Sequence, residues 1–198
     1  MHISEGVLEP KILIAGAAIS AVVTIYALKI LKSDDIPKVS AFSALFFLAS
    51  FIHIPIGITS VHLILNGIVG AVLGVRAFVA IFVALLLQGL LFGYGGITTL
   101  GINLFTLATP ALIGYWLFKI RYKTVWQKQI IWFFIGFLPV IFGALLLSFI
   151  LSLNGDGESF LTAAKIAFLA HIPVMFIEGI VTLLTLNFIE KVKPSFLK

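Results

Sequence analysis

Long apolar runs separated by short polar breaks set the pattern of this 198-residue chain. A membrane-crossing helix needs about 20 mostly apolar residues. On that measure, spans are expected at 11–31, 39–54, 61–75, 77–92, 102–118, 129–152 and 160–188. The intervals carry the turn chemistry: a charged loop at 32–38, a break at 55–60, Arg76 alone, the glycine-rich GYGGITTLG at 93–101, a basic loop at 119–128 and the polar NGDGES at 154–159. Pro110 is expected to kink or delay the fifth span. The last span is long enough to tilt or to project beyond the bilayer. The reading is an all-α integral membrane protein of about seven transmembrane helices, a single transmembrane domain over 1–198.

Composition agrees. The chain is 61% hydrophobic and 11% charged, against about 45–50% and about 25% for a soluble domain. The net charge of +5 therefore reports topology in a lipid bilayer, not a nucleic-acid surface. Of the 13 basic residues, Lys29, Lys32, Lys38, Arg76, Lys119, Arg121, Lys123, Lys128, Lys191, Lys193 and Lys198 fall on one side of a seven-span map, leaving Lys11 and Lys165 on the other. The positive-inside rule then puts the N-terminus outside and the C-terminus in the cytoplasm. With no cysteine there is neither a disulfide framework nor a thiolate metal site. No GxxxxGK[ST] stretch is present, so energy for active work must come from another subunit. The first ten residues hold Glu5 and Glu9 but no Lys or Arg, unlike a signal peptide. The mature chain is expected to begin Met1-His2.

That beginning matters chemically. The α-amine of Met1 with the backbone and imidazole nitrogens of His2 can form fused chelate rings, completed by a nitrogen from His62 or His53. Planar nitrogen ligation favours Cu(II) or Ni(II) over Zn(II). Equally, His2 can sit in a free terminus, and His62 can be an interfacial histidine satisfied by water or helix-terminal groups. All four histidines, His2, His53, His62 and His171, map to the outer half of the chain. Gly67, Gly70 and Gly74 give the third span a face for close helix packing. Gly16, Ser20 and Thr24 do the same for the first span, toward this chain or toward a partner. GYGGITTLG reads either as an external loop or as backbone lining a cavity. Gln88 and Asn103 are polar positions in apolar helices, able to orient a ligand or to join helices. His171 and Glu178 are two helical turns apart on one face. Glu178 needs a partner, whether His171, a backbone group or a hydroxyl, and the two serve either structure or metal passage.

MHISEG at the N-terminus, ITSVH before the third span, LLLQGLLFGYGGITTLGIN and AHIPVMFIEGIVTLLTLNF together resemble the CbiM/NikM family. Its members are substrate-specific membrane subunits of energy-coupling-factor transporters for cobalt and nickel. The resemblance implies that the N-terminus folds back into the bundle. Met1, His2 and His62 then hold a transported Co2+ or Ni2+, and Thr98 and Asn103 buttress the N-terminal segment. It assigns no ligand role to His53 or His171. It also implies partners: a transmembrane coupling subunit, a pair of cytoplasmic ATPases and in many cases a small accessory membrane subunit, in a prokaryotic plasma membrane. No catalytic residue and no cofactor is expected. Two other classes stay in view, a membrane metal-dependent hydrolase and a structural subunit that binds no metal. The first lacks an HExxH motif, with Glu5 its nearest acid.

Overall fold

The computed structural model describes residues 2–51, 53–56, 59–153 and 158–197. Among the described residues, seven α-helices carry the chain: α1 (Pro10–Lys29), α2 (Ile36–Ala49), α3 (Asn66–Leu73), α4 (Ala77–Phe92), α5 (Leu100–Phe118), α6 (Val125–Leu153) and α7 (Glu158–Val192). Their starts and stops follow local chemistry. Pro10 opens α1 and Pro37 lies in the first turn of α2, where a missing N–H costs nothing. Gly93 closes α4 in the left-handed conformation. Pro110, Pro139 and Pro173 lie inside α5, α6 and α7, so α5 runs continuously through Pro110 and is not delayed by it.

Among the described residues, five segments are long and apolar enough to cross a membrane: Pro10–Lys29, Asn66–Phe92, Leu100–Phe118, Val125–Leu153 and Phe160–Val192. The protein is a multi-pass membrane protein. Of the expected seven spans, the second is shorter than drawn, because α2 has 14 residues. The third and fourth share the segment Asn66–Phe92, which is divided by a 3-10 turn at Gly74–Arg76. Arg76 ties that turn to the opposite end of α1 and the start of α2: its guanidinium lies 3.0 Å from the Asp35 carboxylate and 3.4 Å from the Ile30 carbonyl. The far end of α4 joins the end of α2 instead, where Phe47, Phe51, Phe92 and Tyr94 form an aromatic cluster. α4 therefore runs from the α1–α2 connection to the far end of α2.

The break before α3 is not purely helical or irregular. β1 (His53–Ile56) and β2 (Thr59–His62) pair antiparallel, with His53 opposite His62. Cross-strand pairing gives the backbone groups of the two segments partners in each other.

α3 is the centre of the molecule. Every residue from Asn66 to Leu73 is buried except Val72, against α5 and α6. Its glycines make this possible. A Cβ on Gly67 would lie 1.9 Å from the Ile135 carbonyl oxygen, and one on Gly70 would lie 1.8 Å from that of Ala111. The backbones touch, as small-residue packing allows. The small face of α1 packs inward too: Gly16 meets Ile102, and the Ser20 hydroxyl donates to the Gly101 carbonyl at 2.8 Å.

Gly67→Ala is expected to lower stability by about 1–3 kcal/mol, since a backbone carbonyl cannot swing aside. Gly93→Ala meets open space and carries only left-handed backbone strain, about 1–2 kcal/mol. Thermal unfolding in detergent should rank Gly67→Ala as the more damaging; the reverse order would contradict the close approach.

Candidate metal centre

The N-terminal residues turn back into the bundle and are held by one side chain. Asn103, in the first turn of α5, accepts the Ile3 N–H at Oδ1 (2.8 Å) and donates from Nδ2 to the Ile3 carbonyl (3.0 Å). Thr99 Oγ1 accepts from the same Nδ2 at 3.1 Å and fixes the amide. Ile3 is fully buried and His2 is 4% exposed. A second hold lies one turn outward. The Glu5 carboxylate accepts from the Thr98 N–H at 3.0 Å and faces the Thr98 hydroxyl at 3.3 Å. The Thr98 N–H keeps the Glu5 carboxyl below its ordinary value.

The glycine-rich loop leaves room for this segment. Gly96 has φ +111°, and a Cβ there would fall 2.0 Å from Glu5 Cγ. Gly95 has φ +76°, and its Cβ would crowd Asn103 Nδ2 at 2.8 Å, with His2 Cβ next at 3.7 Å. GYGGITTLG is thus backbone that cradles residues 2–5. The second G of its GG pair is the sequence signal for the place of Glu5.

His62, at the end of β2, reaches the same place. Its ring stacks on that of His2, with centroids 4.7 Å apart and planes 21° from parallel. Its Nδ1 lies 2.6 Å from the Leu63 carbonyl. A carbonyl only accepts, so Nδ1 carries the proton and Nε2 carries the lone pair. That Nε2 is buried with no hydrogen-bond partner among the described residues. Donation of one ring N–H to a carbonyl, with the other nitrogen left open, is the bonding pattern of a metal-ligating histidine. Burial, with the neighbouring positive charges adding to it, holds His62 well below its ordinary 6.5. The ring is therefore neutral at neutral pH, as a ligand must be.

His171, fully buried on α7, repeats the pattern. Its Nδ1 donates to the Ala167 carbonyl at 2.6 Å, and its Nε2 has no partner among the described residues. Glu178 bonds elsewhere: its buried carboxyl accepts from the backbone N–H groups of Ile64 and Leu65. Of the partners open to it in the sequence, it takes the backbone. Gln88 is fully buried, and neither of its amide atoms has a partner among the described residues. Met1 lies outside the described residues. His53 is described through its backbone, opposite His62. No group of three or more His, Cys, Asp or Glu side chains gathers as a metal site among the described residues.

The family described as "Cobalt uptake substrate-specific transmembrane region" matches residues 2–196. A Haemophilus influenzae protein named for metal transport is 39% identical over 98% of this chain and 96% of its own length. A Methanosphaerula palustris protein named for cobalt transport is 30% identical over the whole of this chain and 92% of its own. A crystal structure described as a transition metal transporter superposes with a TM-score of 0.78 at 25% identity, over 97% of this chain and 93% of the other. A truncated form gives the same TM-score at 24% identity, over 96% and 99%, and shares the fold.

Two outcomes follow from this geometry. Asn103→Ala strands the buried N–H and C=O of Ile3, at about 1–3 kcal/mol for each buried group left unpaired; the unfolding temperature should fall, and protease should reach the N-terminal residues. Stability should also decline as pH drops below about 6.5, because the unfolded chain binds a proton at His62 that the folded chain refuses. Unfolding midpoints between pH 7 and pH 5 measure this, and His62→Gln should flatten the slope.

Proposed function

The chain belongs to the cobalt uptake substrate-specific transmembrane family, and from that premise we propose that it is the subunit that captures one Co2+ or Ni2+ from outside the cell for ATP-driven uptake by partner subunits. Transport of a transition metal across a membrane is what the family and the named relatives have in common. The finer reading concerns how this chain takes hold of the ion.

In that reading the donors are nitrogens: the Met1 amine, the backbone and ring nitrogens of His2, and His62 Nε2. The single observation that carries it is the stacked pair of buried rings at 4.7 Å, one next to the N-terminus and one with its lone-pair nitrogen open. The lack of any three-side-chain cluster among the described residues fits a site that draws on main-chain nitrogen. Asn103 and, through Glu5, Thr98 hold the N-terminal arm in place. Because the amine and imidazoles must be deprotonated, capture weakens in acid.

The pass count belongs to the same proposal. In it the chain crosses seven times as one domain, with the N-terminus outside and the basic ends of the helices in the cytoplasm; the break at Gly74–Arg76 and the segregation of basic residues support this reading. The family resemblance implies the assembly, with a transmembrane coupling subunit, an ATPase pair and in many cases a small accessory subunit, and the lack of a phosphate-binding loop in this sequence agrees with it.

The test is metal binding by the purified chain with its N-terminus intact. One Ni2+ or Co2+ per chain is expected. His2→Ala, His62→Ala and residues added before Met1 should each weaken binding by more than about 100-fold, beyond the range of an outer-shell change. Normal binding by the extended chain removes the amine from the donor set and overturns the site.

A further inference from the structure

Glu178 is the one carboxyl group buried completely among the described residues, and the capture chemistry gives it no task. Its position is specific. Both of its oxygens accept from the Leu65 N–H at 3.0 Å, and Oε1 also accepts from the Ile64 N–H. The donors are 114 and 113 residues away in sequence. Leu65 has φ +56°, the one non-glycine left-handed residue among those described. That conformation turns successive N–H groups to one side, as in an anion-binding nest. A leucine adopts it only where the surroundings over-determine it. The next residue opens α3, whose N-terminus has no side-chain cap from its own N-cap residue. The carboxyl on α7 supplies what a local serine or aspartate supplies elsewhere.

The consequence runs back along the chain. Ile64 is two residues after His62, within about 7 Å of main chain. His62 is further fixed by its Nδ1 bond to Leu63, the residue between them. The arrangement mirrors the other ring. His2 is followed by Ile3, whose N–H and C=O are gripped by Asn103 from α5. Each imidazole of the stacked pair therefore has adjacent backbone held by a buried side chain of a different helix.

We propose that Glu178 is a positioning residue for metal capture: by gripping the Ile64 and Leu65 amides from α7, it sets the place of the His62 ring opposite His2. This rests on the reading of His62 as a metal donor. The geometry it sets is a distance between two donors on separate chain segments, and a simple helix cap would have no effect on that distance.

Glu178→Gln keeps the shape and turns an N–H2 toward an N–H donor. In the full-length chain in detergent, Ni2+ alone is titrated against a competing chelator, with thermal unfolding of the metal-free protein recorded beside it. The expected result is a Kd raised by about 10–100-fold, the range for a disturbed outer-shell partner. The ligand-field absorption of bound Ni2+ should shift as well, while the metal-free unfolding temperature moves little. Asn187→Leu is the control. It breaks the paired amide contact between Asn187 and Gln129 at the other end of α7 and should leave both Kd and spectrum alone. If Glu178→Gln does not fold, Glu178→Asp keeps the acceptor on a shorter arm and is expected to show the same weakening.

A folded Glu178 variant with wild-type Kd and spectrum overturns the proposal. So does an Asn187→Leu protein weakened to the same degree, which would make the effect general to α7. A wild-type chain that binds no Ni2+ or Co2+ overturns the capture reading itself, and this inference falls with it.

Discussion

One amide side chain carries the N-terminal architecture. Asn103 matches both polar groups of the Ile3 peptide, acceptor to N–H and donor to carbonyl. Away from water, a backbone group without a partner is costly, so a terminus can enter an apolar bundle only if its peptide groups are received. Asn103 meets that condition at the depth where Ile3 is fully buried. His2, one residue nearer the end of the chain, is placed by it. The cradle of Gly95 and Gly96 and the Glu5–Thr98 bonds close the arm from the other side.

The same rule explains the centre of the fold. α3 is only eight residues long, too short to cross a membrane alone. Its stability comes from backbone-to-backbone contact through Gly67 and Gly70 with α5 and α6. A buried carboxyl receives the open amides at its start. The ladder of β1 with β2 pairs the backbone just before it. A short helix and its left-handed entry thus occupy the interior, packed against α5 and α6. Non-helical backbone is stable at such depth when protein surrounds it.

The long apolar runs were legible because a 20-residue hydrophobic stretch has one dominant physical meaning. Expected and observed bounds agree at α4 and differ by a few residues at α1, α5 and α6. The Asn103 clamp was legible as a polar residue in an apolar helix, and the glycine loop as backbone that could not be regular helix. What escaped was interaction over long separation. Nothing local marks Leu65 as left-handed, since leucine disfavours that region; the conformation is imposed by a carboxyl 113 residues away. Nor does the run before Asn66 show that its apolar residues 63–65 lie outside the helix, because hydrophobicity alone does not separate a buried helix from other buried backbone. The stacking of His2 on His62 joins segments 60 residues apart; the outer side of the map left the choice between His62 and His53 open, and the family resemblance pointed to His62.

A carrier of a metal ion has to bind its cargo without becoming its permanent site. A cage built from side chains on rigid helices resists release, because every donor must be pulled from a packed wall. Here the two rings stand on the least helical parts of the chain, an N-terminal arm and the end of a short strand, and each is held by hydrogen bonds from a neighbouring helix. Those bonds exchange readily where apolar packing does not: a polar grip can be replaced by water as it opens, whereas a separated apolar contact leaves a void. On the proposed reading, holding the donors through Asn103 and Glu178 reconciles a defined geometry for capture with segments that can move apart for release.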